Sequence, residues 1–225
     1  PRITFFIVGS MFLFFSIIYY FFGLRKIYEE DEKVEKFKIP EKNILIYGFL
    51  LMMNFATLGI IIDWSPVWLT KDLRAPLFLG GLAIMFFNAG EIIARVSASK
   101  LINRFGEIII GSYFSIVSCV VLFITILTMN LNIILFGVLI FGFGTANFVA
   151  IVLRQAISES NEGISLTVSN LITLGFGGFI FGPVVVGYLA EFISLTFNMY
   201  LLSVIWGFNG LALFYLIKRN KNQKT

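Results

Sequence analysis

The stretch GGLAIMFFNAGEIIARVSASKLINRFG, residues 80–106, decides how this chain folds. It begins as an apolar run of helix length and then places Glu91 and Arg95 inside that run, whereas other charges lie between apolar runs or at their ends. At the centre of a bilayer each of these charges would cost at least ~2.5–3.5 kcal/mol. We therefore expect neighbouring helices or a polar cavity to shelter them, and the rest of the chain to form those surroundings.

The composition indicates a membrane protein with several spans. The 225 residues are 58% hydrophobic and 13% charged, whereas soluble domains carry about 25% charged residues. The net charge of +4 does not favour nucleic acid, because the basic residues flank apolar runs and form no stripe. With no histidine and one cysteine, Cys119, the chain lacks the residues for a thiolate metal cluster or an intrachain disulfide, and we expect no cofactor.

Seven apolar segments are each long enough to cross a bilayer of about 30 Å, which takes about 20 residues. Only helices and closed barrels satisfy the backbone in lipid, and these runs are too long and continuous for barrel strands. We therefore predict an all-α polytopic transmembrane bundle. The predicted spans are residues 3–24, 44–64, 77–102, 107–128, 131–153, 163–190 and 193–217.

Lysines and arginines in the short loops predict the orientation of the spans. Of the 17 basic residues, only Arg2, Lys71 and Arg74 lie on one side, Arg95 lies within a span, and the others lie on the opposite side. That opposite side is predicted to be cytoplasmic.

This orientation predicts a cytoplasmic linker and a cytoplasmic C-terminus. The linker, residues 25–43, balances basic and acidic side chains and precedes a compact six-span bundle at 44–217, which ends in a tail at 218–225. The chain opens at Pro1 with an apolar run that lacks a signal-peptide cleavage pattern. We therefore expect residues 1–24 to be the last span of a preceding part of a longer protein.

Glu91 and Arg95 are four residues apart, so a helix places them on one face with the acid on the N-terminal side, the favoured order. Three interpretations remain open: a structural salt bridge, a polar cavity that contacts substrate or a proton, and a neutral Glu91 bonded to a neighbour. An ionisable residue inside a membrane is by default a functional hypothesis.

The end of the quoted stretch resembles the loop signature of the major facilitator superfamily, in the degenerate copy that joins helices eight and nine. The residues that carry this resemblance are Ala94, Arg95, Lys100, Asn103, Arg104, Phe105 and Gly106. The sequence departs from the usual pattern at Ala94, where glycine is common, at Ser99 and Asn103, where aspartate is usual, and at Glu107, where arginine is expected.

The sixth predicted span is similar to helix eleven of that superfamily, which often has a Gly-Pro-x-x-x-Gly pattern before an acidic end. Here the pattern is Gly182, Pro183 and Gly187, followed by Glu191. Gly178 and Gly182 would let another helix approach closely, and Pro183 frees a backbone carbonyl and permits a bend. Close packing without motion and a bend that opens a cavity are both compatible with this pattern.

The segment IDWSPVWL, residues 62–69, is expected to end the second span on the outer side. Trp64 and Trp68 are interpreted as interfacial anchors, and Asp63 as solvated. Asp-Trp-Ser before a short outer loop also resembles a bacterial subgroup related to the fucose permease.

The resemblance covers nearly the whole chain, with residues 44–217 similar to helices seven to twelve and residues 3–24 similar to helix six. It implies a secondary active transporter of a bacterial inner membrane that moves a small solute by alternating access, with helices one to five missing. In the superfamily, substrate sits near the midplane between two six-helix halves. From their positions in the spans, the candidate wall residues are Asn54, Asn88, Glu91, Asn147 and Asn170.

Each asparagine could equally supply hydrogen bonds between helices, and Gly142 and Gly144 with Asn147 are expected to soften the fifth span. The alternative to a transporter is a non-transporting membrane scaffold or an orphan half. An intramembrane enzyme is disfavoured, because the chain has no histidine, no cysteine pair and no close aspartate pair.

Overall fold

The computed structural model describes residues 2–22 and 40–224, and it divides the chain into two compact units at residues 38 and 39. In the first unit the described part is helix α1, Arg2–Phe22. Most of the predicted linker at 25–43 lies outside the described residues.

The second unit is a helical bundle. Its helices are α2 (Lys42–Lys71), α3 (Leu77–Phe105), α4 (Phe114–Leu127), α5 (Leu131–Thr145), α6 (Phe148–Glu159), α7 (Ile164–Phe192) and α8 (Leu195–Lys224). A short π-helical turn, Ile109–Tyr113, leads into α4. The described ranges contain no strand, which confirms the predicted all-α bundle.

Among the residues that the structure describes, six helical segments are long and apolar enough to cross a membrane by length and composition. Two of them combine elements: the π-helical turn continues into α4, and α5 with α6 forms one segment over Leu131–Glu159. In α1 the apolar stretch that qualifies, Gly9–Tyr20, is shorter than a full span, so the seventh span stays a prediction.

Helix α2 continues beyond its predicted end at residue 64 and runs through Pro66 to Lys71. The hydroxyls of Ser65 and Thr70 donate to the backbone carbonyls four residues earlier, at 2.5 and 2.9 Å. Such bonds satisfy the hydroxyls within the helix, although they slightly destabilise and often bend it. The charge at Asp63 does not end the helix either, because its side chain is exposed at the edge of the bundle.

The interpretation of Trp68 as an interfacial anchor is wrong. Its side chain is buried in the core, and its Nε1–H donates to Thr196 Oγ1 at 2.9 Å. Trp64 is half-buried, and its Nε1–H donates to the carbonyl of Pro183 at 3.0 Å. Both indoles therefore join the C-terminal end of α2 to other helices.

Helices α2 and α7 pack side by side in the same direction along a row of small residues. A Cβ built on Gly178 would overlap with the carbonyl oxygen of Met52, and one on Gly182 would lie 2.8 Å from Ala56 Cβ. On α2, a Cβ on Gly59 would lie 3.1 Å from Pro183 Cγ. The two backbones approach closely because these residues are small.

The same row of contacts extends towards the C-terminal end of α7. A Cβ on Gly187 would lie 3.0 Å from the ring of Trp64. Pro183 lies within α7 and does not end it. The carbonyl of Phe179, which Pro183 cannot pair, faces Gly59 of α2.

Candidate functional site

Glu91 and Arg95 form a bidentate ion pair on α3. Arg95 Nη1 donates to Glu91 Oε2 at 3.1 Å, and Nη2 donates to Oε1 at 3.0 Å. Glu91 is the middle residue of α3, because the helix continues to Phe105, beyond the predicted end at residue 102. The Glu91 side chain is 9% exposed, whereas that of Arg95 is 54% exposed. Glu91 therefore lies inside the bundle, and Arg95 lies at its surface.

Close contact with α5 holds α3 in this orientation. A Cβ on Gly90 would overlap with the carbonyl oxygen of Leu139, and a Cβ on Gly142 would overlap with that of Phe87. Between these contacts the rings of Phe87 and Phe141 pack with their centroids 6.3 Å apart. Glycine at both positions lets the two helices touch through their backbones, one residue from Glu91.

Asn147 lies at an interruption between α5 and α6. Its backbone, at φ −96° and ψ −2°, leaves the regular helix, and α6 begins at the next residue. Its side chain is buried, and Nδ2 donates to the carbonyl of Ala94 on α3 at 3.3 Å. The interrupted span therefore contacts α3 directly beside Arg95.

Two of the other candidate wall residues differ in exposure and in their partners. Asn88 is exposed, one turn before Glu91, and within the described ranges it has no hydrogen-bond partner. Asn54 is only 1% exposed, yet neither Nδ2 nor Oδ1 has a partner within those ranges. No hydrogen bond joins Asn54 to Glu91, Arg95 or Asn147 in the described part of the chain.

Asn170 belongs to a different region. It lies two turns into α7, and its Nδ2 approaches Glu162 Oε2 at 3.5 Å, the long limit of a hydrogen bond. The structure thus brings Glu91, Arg95 and Asn147 together and leaves Asn170 near the end of α7.

Of the remaining predicted loop residues, only Gly106 lies between α3 and the π-helical turn, whereas Lys100, Asn103 and Arg104 lie in the last two turns of α3. Gly106 has φ +82°, a conformation that residues with a Cβ rarely adopt, and its N–H bonds to the carbonyl of Ile102 at 2.8 Å. The guanidinium of Arg104 lies 5.3 Å from the ring centre of Phe105. Lys100 and Asn103 are both at the end of α3, with Lys100 exposed to its surroundings.

Glu107 makes contacts that sequence reasoning missed. Its carboxylate accepts from Arg154 Nη1 at 2.5 Å and from Gln155 Nε2 at 2.7 Å. The unusual acid at this position of the loop therefore joins the loop to α6. The departure from the loop signature was the available signal, but the partners on α6 depend on the tertiary arrangement.

A second polar cluster joins α2, α6 and α8. Tyr47 donates its hydroxyl to Glu159 Oε1 at 2.6 Å, and Arg219 Nη2 lies 3.4 Å from Glu159 Oε2. Asn220 Nδ2 donates to the Tyr47 hydroxyl at 2.9 Å. Tyr47 and Asn220 are both buried. The sequence offered no pattern for this cluster, because its members are far apart along the chain.

The arrangement of Glu91 and Arg95 suits charge pairing and hydrogen bonding to a polar molecule. In the part of the chain that the structure describes, no three Asp, Glu, Cys or His side chains are grouped so as to hold a metal ion. A half-exposed guanidinium is a donor for carboxylate or phosphate groups. Protonation of Glu91 would remove the acceptor that fixes Arg95.

Comparison with known proteins relates the chain to membrane transporters. It is 26% identical over 162 residues to an uncharacterised MFS-type transporter of Yersinia pestis, a match that covers 71% of this chain and 42% of that protein. It is also 26% identical over 156 residues to the membrane protein MosC of Rhizobium meliloti, covering 68% of this chain and 37% of that protein.

A third relative matches almost the whole chain. The proton-coupled antiporter flippase LtaA of Staphylococcus saprophyticus is 24% identical over 241 residues, covering 98% of this chain and 58% of that protein. No family model matches the chain. The chain spans about two fifths of the length of the first two relatives and less than two thirds of the third. Together, the six apolar helices and these similarities make the chain an integral membrane protein similar to transporters of the major facilitator type.

Proposed function

We propose that this chain forms the C-terminal half of a major facilitator transporter, which moves a small solute by alternating access against five preceding helices. The observation that carries the proposal is the bidentate Glu91–Arg95 pair at the middle of α3, with one member buried and the other half exposed. A charge at mid-span is costly in lipid. A half-exposed Arg95 is therefore best explained by a polar interface with another part of the protein, here called the transport seam.

The wall of this seam would be formed by α3 and by the interrupted span α5–α6. Asn88 and Arg95 supply exposed polar groups, and Asn147 joins the two elements. Asn54 would complete the wall from α2, because a buried amide without a partner costs about 1–3 kcal/mol unless a ligand or water satisfies it.

Alternating access requires helices that move as units, and the close row of small residues between α2 and α7 would keep these two together. Such packing suits rigid-body rocking of one half against the other. The resemblance of α7 to helix eleven supports this assignment, whereas the placement within a fucose-permease-like subgroup rests on residues 62–69 alone.

We further propose that Glu91 couples transport to a proton. One relative is named a proton-coupled antiporter, and Glu91 is the acid at the middle of α3. Protonated Glu91 would release Arg95 to bind an anionic group of the solute, and deprotonation would recapture Arg95. The competing interpretation is a structural salt bridge whose two members never separate.

Uptake measured against pH in cells that produce the complete protein tests this mechanism. A panel of small anionic solutes would first identify one that the wild type accumulates. Glu91→Gln is expected to abolish the dependence of uptake on pH while leaving the protein in the membrane, because the amide cannot carry a proton. Lys100→Gln, on the same helix, is the control and should keep that dependence.

Two results would contradict parts of the proposal. Glu91→Gln with an unchanged rate and unchanged pH dependence would exclude proton coupling at this residue but would leave transport intact. Failure of the wild type to accumulate any solute of the panel would favour a non-transporting membrane scaffold.

A further inference from the structure

Two adjoining cavities run along α2 and α8, on a different surface from the Glu91–Arg95 pair. The larger, of about 640 Å³, lies between Lys42 and Met53 of α2 and between Ile205 and Ala212 of α8. The smaller, of about 290 Å³, continues it between α2, α7 and α8, and the two share Met53 and Ile205 in their walls. The larger volume lies within the usual range of ligand sites, about 300–1,000 Å³.

The wall of the larger cavity, here called the α2–α8 groove, is almost wholly apolar. Asn209 is the uncharged polar side chain in it, and its Nδ2 already donates to the carbonyl of Leu50 at 3.1 Å. Phe49 and Phe208 line the groove and remain exposed. The groove thus offers apolar contact along its length and few groups that would recognise a polar ligand.

Lys42 lies at one end of the groove and is the single charged residue among the described residues that line it. Its side chain is exposed, and within residues 2–22 and 40–224 no carboxylate forms an ion pair with it. An apolar channel with an exposed ammonium at its mouth matches a molecule that has a long hydrocarbon chain and an anionic head.

We propose that the α2–α8 groove binds an anionic glycerophospholipid, with its phosphate paired to Lys42 and one acyl chain lying along α2 and α8 towards Met53. The length agrees with this occupant. Lys42 and Met53 are separated by about 16 Å at a rise of ~1.5 Å per residue. One leaflet contributes about half of a hydrocarbon core of ~30 Å, or about 15 Å.

The positive-inside rule predicts that Lys42 lies at the cytoplasmic face, so the lipid would come from the cytoplasmic leaflet, which is rich in anionic headgroups. This proposal does not depend on solute transport, because the groove contains none of the residues assigned to the transport seam.

Native mass spectrometry of the protein purified in detergent tests the proposal directly. The protein is titrated with phosphatidylglycerol and, separately, with phosphatidylcholine of the same acyl chains. We expect tighter binding of phosphatidylglycerol, by about fivefold, the effect of one lysine on an anionic lipid. Lys42→Gln should remove this preference, whereas Lys71→Gln, at the other end of α2, should retain it.

A second pair of variants tests the groove itself. Ala212→Phe would fill the space beside Phe208 and is expected to weaken binding of both lipids at least fivefold. Leu211→Phe places the same phenyl ring on an exposed face of α8 outside the groove and should leave both affinities unchanged.

Three results would overturn the proposal. Equal affinity of the wild type for the two lipids would show that Lys42 recognises no charge. Equal behaviour of Ala212→Phe and Leu211→Phe would show that bound lipid lies elsewhere on the surface. A wild type that binds neither lipid would show that the groove is not a phospholipid site.

Discussion

Substituting alanine at two adjacent glycines of α7 tests the close packing of α2 against α7. A Cβ on Gly178 would overlap with the backbone carbonyl of Met52, whereas a Cβ on Gly177 meets no atom within 4 Å. Both substitutions gain about 1 kcal/mol of helix propensity. Only Gly178→Ala also overpacks an interface, which costs about 1–3 kcal/mol.

The cost at Gly178 should be near the upper end of that range, because the overlapped atom belongs to the backbone of α2 and cannot rotate away. We therefore expect Gly178→Ala to lose about 2 kcal/mol of unfolding free energy and Gly177→Ala to gain up to about 1 kcal/mol. The difference of about 3 kcal/mol isolates packing, since the propensity gain is common to both variants.

Equilibrium unfolding in mixed detergent and SDS micelles, followed by circular dichroism, measures this difference. The two variants should have clearly separated midpoints on either side of the wild type. Coincident unfolding curves for Gly177→Ala and Gly178→Ala would refute the close approach of the two backbones.

The same assay tests two further features. Tyr47→Phe removes the hydroxyl that donates to Glu159, and it should lower the unfolding free energy by about 1–3 kcal/mol because it leaves buried partners unsatisfied. Tyr113→Phe, at an exposed ring, should leave the unfolding free energy unchanged. Equal effects of the two substitutions would count against the polar cluster of Tyr47, Glu159, Arg219 and Asn220. Asn54→Leu should raise the unfolding free energy by about 1–2 kcal/mol, since it removes a buried amide without a partner. If Asn54 contacts the solute, the same substitution should also lower uptake. A loss of stability in Asn54→Leu would mean that the amide is hydrogen-bonded in the folded protein.

The sequence predicts the helices well because length and hydropathy act locally. The prediction that the second span ends at residue 64 does not give the end of α2, because Pro66 and the charge at Asp63 suggested a loop there. Within the folded bundle, Trp68 is buried against α8 and the helix continues past both residues. Gly142 and Gly144 with Asn147 predict a softened fifth span, because glycine has a low helix propensity, and the structure interrupts this span at Asn147.

The partners of the polar residues were much less predictable. The Glu91–Arg95 pair follows from a spacing of four residues on one helix. The bond between Tyr47 and Glu159, and that between Glu107 and Arg154, join residues far apart in sequence. Such contacts require the packing of α2, α6 and the loop after α3, which no local pattern specifies.

Accessibility of a single cysteine at the centre of α3 tests the central claim most directly. Cys119→Ala removes the one cysteine of this chain. Glu91→Cys then reports whether water reaches this position, with Val120→Cys on α4 as the control at an exposed apolar site. A charged, membrane-impermeant methanethiosulfonate should modify Glu91→Cys at least tenfold faster than Val120→Cys. Modification of Glu91→Cys only by membrane-soluble reagents would contradict a polar seam at the Glu91–Arg95 pair.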